Sequence, residues 1–186
     1  MSGYLHIITG PMFGGKTTRL IELYNHYKQS NSVLVFNHTL DKRYVSKDEQ
    51  KIVSHDKITI DCNFIWRPID ILSHKDFNSS KVIIIDEAQF FDSFKEIVLF
   101  LVEFYKKTII VSGLMTDFNR DVFGELLSLI PFADEVEIKK GKCKFCNNKG
   151  LFTEKNRSIN EVIEVGSSDM YAIVCRCHYL NKSLYI

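Results

Sequence analysis

The sequence has almost no imbalance of charge: 24 Lys and Arg stand against 23 Asp and Glu, a formal net charge of +1. A basic field for a nucleic-acid backbone is therefore missing, and no nucleic acid is expected as the main partner. Nor is there an apolar run near the roughly 20 residues a membrane helix needs, so no membrane partner is expected either. The opening Met1-Ser2-Gly3-Tyr4-Leu5-His6 lacks the positive start and long apolar stretch of a signal peptide, and the Arg-rich pattern of a transit peptide. Internal repeats and low-complexity tracts are absent. These gaps predict a cytoplasmic protein in a reducing setting. Its five cysteines then read as metal ligands or plain thiols rather than disulfides.

What is present suits one α/β domain with a small appendage, since 186 residues can bury a proper core. Short β-rich runs fall at 4–8, 33–36, 81–85 and 108–112, with a further candidate at 58–61. The run Lys81-Val82-Ile83-Ile84-Ile85 is continuously apolar and β-branched, as central parallel strands tend to be. Helical spacing appears at 16–29 and at 94–105, where Phe94, Ile97, Val98, Leu101 and Phe104 share a face. A short helix is expected at 69–74, and another over 120–129, stopping before Pro131. The polar stretch 37–55 reads as a long loop. Strands alternating with helices predict a parallel sheet covered on both sides. After Val136 the texture becomes basic and rich in Cys, Asn and Gly, which predicts a boundary near Lys140.

The first β run leads straight into Gly10-Pro11-Met12-Phe13-Gly14-Gly15-Lys16-Thr17, a P-loop between a strand and a helix. Its glycines let backbone N–H groups converge on phosphate oxygens at the positive end of the following helix. Lys16 can reach the β- and γ-phosphates of ATP, and the Thr17 hydroxyl can hold Mg²⁺. Asp86 ends the strongest apolar strand, the placement of a second Mg²⁺ carboxylate. Glu87 follows it, aimed differently, where it could take a proton from an attacking hydroxyl or from water. Kinase and ATPase stay level on these residues.

Cys143-Lys144-Phe145-Cys146 is a C-x-x-C knuckle, and Cys175-Arg176-Cys177-His178 supplies further ligands about 30 residues on. Two such clusters suit one structural, tetrahedral Zn²⁺. Cys175 and His178 match the spacing of the first knuckle, with Cys177 as the alternative to His178. Zinc there would staple the ends of segment 147–174, a loop too small for its own core and able to drape over a ligand. Cys62, without a neighbouring partner, reads as a core thiol.

Taken in order, the P-loop, Asp86-Glu87-Ala88-Gln89-Phe90-Phe91 and the two cysteine clusters resemble the type II thymidine kinases, over about residues 3–179. Leu114-Met115-Thr116-Asp117-Phe118-Asn119-Arg120 is similar to that family's Leu-Asp-Gly-Thr-Phe-Gln-Arg segment. Val165-Gly166-Ser167-Ser168-Asp169-Met170-Tyr171 is similar to its Gly-Gly-x-Asp-x-Tyr stretch.

The resemblance implies a P-loop NTPase α/β fold of the recombinase type over 1–140 and a zinc-binding lasso domain over 141–186. It implies transfer of the γ-phosphate of ATP to the 5′-hydroxyl of thymidine, and of deoxyuridine, with Glu87 as general base. Asp41, Lys42 and Arg43 would lie near the phosphates together with Gln89, although as bare sequence they are solvated loop charges. Phe118 would pack on the thymine ring, lined by Met12, Phe90, Leu114 and Phe123. Thr153 and the lasso residues Val162, Ile163, Glu164, Val165 and Gly166 would meet the base edge, and Tyr171 the sugar. A homotetramer inhibited by thymidine triphosphate (dTTP) is also implied.

The chain departs from the family at Thr17 (often Ser), at Met115-Thr116-Asp117 and Thr153-Glu154-Lys155, and in ending its ligand set Cys175…His178 as many bacterial members do. Two other readings remain: a recombinase-type ATPase using Glu87 on water, and a zinc-ribbon nucleic-acid module with Lys139, Lys140, Lys142, Lys144 and Lys149 on phosphates. Such a lysine cluster is more often a solvated face.

Overall fold

The computed structural model describes residues 2–41, 50–54, 57–155 and 170–181. Along the chain run β1 (Tyr4–Thr9), α1 (Lys16–Lys28), β2 (Val33–His38), β3 (Lys51–Val53), β4 (Thr59–Asp61) and β5 (Asn63–Ile65). Next come β6 (Val82–Ile85), α2 (Phe94–Leu99), β7 (Thr108–Gly113) and β8 (Glu135–Ile138). The remainder holds β9 (Gly141–Lys142), β10 (Lys149–Gly150), β11 (Phe152–Lys155), β12 (Tyr171–Val174) and α3 (Arg176–Leu180).

Six strands form one sheet in the order β5-β2-β6-β7-β1-β8, every pair parallel. Parallel strands need both faces covered. One face carries a core that includes Leu5, Ile83, Phe91, Phe94 and Leu101, and the other packs Ile8, Ile84 and Ile110 against Leu20 and Leu23 of α1. Because the strands run one way, the segments after β1, β2, β6 and β7 all emerge at one edge, where α/β proteins bind ligands.

The long helix expected over 94–105 is α-helical only to Leu99 and continues as a π-helix over Phe100–Phe104. Leu101 stays fully buried, but across the wider π turn Val102 also faces inward and Phe104, three residues beyond Leu101, is 67% exposed. The helix expected over 120–129 does not form. Thr116 bridges antiparallel to Val122, Gly124 sits at φ +65°, and a 3-10 turn runs over Leu126–Phe132 with Pro131 inside it. The short helix near 69–74 is a 3-10 turn over Pro68–Ser73. Strand β2 extends to His38, and the end of the expected loop over 37–55 is β3, paired antiparallel with β4.

At the β8 edge His6 Nε2 lies 3.1 Å from Glu137 and 3.8 Å from Glu135. Arg19 of α1 donates to the same Glu137 oxygen at 2.8 Å, an ion pair that ties α1 to the sheet. C-terminal to Gly141, the described residues form two small antiparallel ladders, β9 with β10 and β11 with β12, around a compact core of Cys143, Val174, Cys175 and Tyr179.

Candidate active site

A cavity of about 290 Å³ opens at the carboxyl edge of the sheet. The loop after β1 forms one wall, where Gly10 (φ +143°) and Gly15 (φ +84°) take up backbone conformations that suit glycine. At Gly10 there is also no room for more: a Cβ would stand 2.5 Å from the Lys139 carbonyl. Lys16 and Thr17 open α1 and face the cavity, and Lys16 Nζ donates to Pro11 O at 2.8 Å.

Asp86 and Glu87, directly after β6, also line the cavity. Both are buried, at 3% and 8% exposure, at the end of a strand whose four residues are fully enclosed. The Thr17 hydroxyl lies 3.5 Å from Asp86 Oδ2, while Asp86 Oδ1 accepts the Glu87 N–H at 3.0 Å. A hydroxyl and a carboxylate beside a lysine are a hard-oxygen donor set, which fits Mg²⁺ carried by a nucleotide. Glu87 is held at φ +53°, uncommon for a residue with a side chain and found mostly at functional sites. Its carboxylate accepts a hydrogen bond from Gln89 Nε2. Gln89 Oε1 in turn accepts the Leu114 N–H at 2.9 Å, so one amide joins the acidic wall to the segment after β7.

Asp41, which bare sequence would leave to solvent, lines this cavity and accepts from the fully buried Asn37 amide at 2.9 Å. Sequence reasoning missed Asn37; a lone Asn directly after the apolar run 33–36 is its only signal. Thr18, Ile52 and Val53 also line the cavity and were not singled out. Lys42 and Arg43 lie outside the described residues.

The residues expected around a nucleoside meet in pairs. Met12 and Leu114 line the cavity itself. Phe90 packs edge-on against Phe123 at 5.6 Å, and Phe118 faces Tyr171 at 6.3 Å. Thr153 Oγ1 accepts the Met12 N–H at 3.1 Å. The segment 162–166, which holds Val162 to Gly166, falls outside the described residues.

Cys143, Cys146, Cys175 and His178 bring their ligand atoms within 4.8 Å of one another. Sulfur to His178 Nδ1 distances are 3.1, 3.6 and 3.7 Å, and Cys146 lies 3.9 Å from Cys175. A tetrahedral zinc with its usual bond lengths needs edges of about 3.8 Å between sulfurs and about 3.6 Å from sulfur to nitrogen, so the cluster fits that ion. Burial opposes ionisation of Cys143, but backbone groups of Cys175, Phe145 and Cys146 outweigh it and draw the thiol down to about 7. Cys177 is exposed and stands outside the cluster. Cys62 is buried, and burial pushes its thiol up to about 12, the behaviour of an inert core residue.

The chain thus combines a parallel α/β sheet, a cavity at the carboxyl edge of that sheet and a cysteine-rich knuckle. The family model for thymidine kinase matches residues 3–179. A thymidine kinase of Choristoneura fumiferana entomopoxvirus is 39% identical, over 97% of this chain and 98% of its own. Thymidine kinase a of Arabidopsis thaliana is 35% identical, over 100% of this chain and 78% of its own. The cytosolic thymidine kinase of Cricetulus griseus is 32% identical, over 97% and 75%. The chain belongs to the thymidine kinase family. Among the described residues no helix is long and apolar enough to cross a membrane.

Proposed function

We propose that the chain transfers the γ-phosphate of ATP to the 5′-hydroxyl of thymidine, and of deoxyuridine, giving the nucleoside monophosphate and ADP for deoxynucleotide salvage. The supporting observation is the position of Glu87: it lies in the cavity that Lys16, Thr17, Asp86 and Leu114 line, and it is tied to Leu114 through Gln89. A carboxylate so placed can take the 5′-hydroxyl proton as the oxygen attacks phosphorus.

In this reading residues 10–17, with Asp41, Lys42 and Arg43, receive the phosphates, and Lys16 exchanges the Pro11 carbonyl for a phosphate oxygen. Thr17 and Asp86 hold Mg²⁺, which neutralises phosphate charge when bound. Phe118, with Met12, Phe90, Leu114 and Phe123, receives the base; Thr153 and residues 162–166 read its edge, and Tyr171 reaches the sugar. Zinc on Cys143, Cys146, Cys175 and His178 holds a module at 141–186 beside the ATP-binding part at 1–140. A cytoplasmic homotetramer with dTTP as feedback inhibitor, and no nucleic-acid partner, completes the reading.

The test is ADP formation with and without thymidine, deoxycytidine or single-stranded DNA, on the native enzyme and on Glu87→Gln. Thymidine-dependent release that falls about 10²- to 10⁴-fold in Glu87→Gln, with ATP affinity kept, supports the assignment. Release that follows DNA, or needs no acceptor, would transfer Glu87 to water activation.

A further inference from the structure

The turn that presents Phe118 has two anchors, and the second comes from the cysteine-rich module. At its base, Leu114 N–H donates to Gln89 and Phe123 N–H donates to the Met115 carbonyl. At its tip, the Asp117 carboxylate accepts the N–H groups of Asn119 at 2.8 Å and Asp121 at 2.9 Å, and the Asp117 carbonyl accepts that of Arg120. Asp117 therefore closes the turn on itself. The Phe118 carbonyl faces outward from it and accepts the Tyr179 hydroxyl at 2.9 Å.

Tyr179 is well placed to hold its position. It is 6% exposed, follows His178 directly, and its N–H donates to the Cys175 carbonyl at 2.9 Å. Its ring packs against Phe152 at 5.3 Å, and the Arg120 guanidinium of the same turn lies 4.5 Å above it. Four-ligand closure by Cys143, Cys146, Cys175 and His178 would fix α3, and α3 fixes this hydroxyl.

We propose that Tyr179 is a positioning residue for the nucleoside base: it transmits the geometry of the cysteine–histidine cluster to the Phe118 ring through one hydrogen bond to the Phe118 carbonyl. This rests on the reading of Phe118 as the base-stacking residue. A ring that touches the base stabilises ground state and transition state alike, so its misplacement raises KM and spares kcat.

Tyr179→Phe removes the hydroxyl and keeps the ring on Phe152 and under Arg120. In the full zinc-loaded chain the KM for thymidine rises roughly fivefold, the worth of one hydrogen bond. Meanwhile kcat, the KM for ATP and zinc content stay within twofold, and amide exchange across 116–121 speeds up while β6 and β7 are unchanged. An unchanged thymidine KM overturns the proposal, and so does loss of zinc, which would make Tyr179 a support of the knuckle instead. Phe118→Ala, measured alongside, separates the two levels. If it raises the thymidine KM while Tyr179→Phe does not, only the Tyr179 link has failed. If neither variant moves KM, the stacking role of Phe118 has failed and the link falls with it.

Discussion

Met12 donates its backbone N–H to the Thr153 hydroxyl at 3.1 Å, across 141 positions of sequence. The glycine loop at the cavity thus leans on β11 of the cysteine-rich module, and Thr153 is buried at 9% exposure. Thr153→Val deletes the acceptor at nearly constant volume and leaves the Met12 N–H facing a methyl group. An unsatisfied donor of this kind costs about 1–3 kcal/mol, so urea unfolding should show a loss in that range, with Thr153→Ser close to native. An unfolding midpoint unmoved in Thr153→Val would mean that water takes the hydroxyl's place.

Gly124 is the tightest joint of the site. It sits at φ +65°, and a Cβ there would stand 2.4 Å from the Gln89 carbonyl oxygen and 2.8 Å from the Gln89 Cα. The backbone of Gln89 cannot yield without moving its amide, which bonds both Glu87 and Leu114. Gly124→Ala is therefore expected to destabilise the fold by about 1–3 kcal/mol from backbone strain alone. Turnover should fall more than tenfold, because misplacement near the chemistry is costly. A variant with native turnover would show that the Gln89 bridge tolerates displacement.

The glycine loop, the acid after β6 and the cysteine–histidine cluster were legible in the sequence, whereas the positive φ of Glu87 and of Gly124 was not. Glycines at 10, 14 and 15 between a strand and a lysine, an acid ending an apolar strand, and paired cysteines each announce their geometry by spacing. The residues proposed for the nucleoside side have no such signature. Phe90 and Phe123 look like core residues from sequence, and Asp117 looks like a loop charge although it closes its turn with two hydrogen bonds. Periodicity misled where tertiary contact overrode it: at Phe104, where a π turn rotates the face, and over 120–129, where Gly124 against Gln89 fixes a turn instead of a helix.

Zinc removal is expected to act on the nucleoside side first. The core of Cys143, Val174, Cys175 and Tyr179 is too small to hold the ladders together without the proposed zinc. Chelation should lower Tm by about 10 °C or more. It should also abolish thymidine-dependent turnover, with recovery on adding zinc back. ATP affinity should fall by less than thymidine affinity, since Lys16 and Thr17 stand on α1 and Asp86 directly follows β6, all outside the cysteine-rich module. Equal losses for both ligands, measured by direct binding, would mean that the cavity collapses as a whole.

His38 gives the fold an acid sensitivity whose direction can be worked out. It ends β2 at 2% exposure, accepts the Leu40 N–H on Nδ1 at 3.1 Å, and packs on Phe91 at 4.6 Å and Trp66 at 5.2 Å. Burial pushes its pKa below the ordinary 6.5, and the hydrogen bond to the Trp66 backbone, with the attraction of Asp92 and Asp41, is too weak to reverse this. Below about pH 6.5 the unfolded ring takes up a proton that the folded ring still refuses, so the unfolded state binds more protons and stability falls with pH. The loss levels off only once pH drops below the lowered folded value. His38→Asn keeps a side-chain acceptor near the Leu40 N–H and removes the titration. Between pH 7.5 and 5.0 the native protein should lose more Tm than this variant does, and parallel Tm curves would show that the folded ring accepts its proton as readily as the unfolded one.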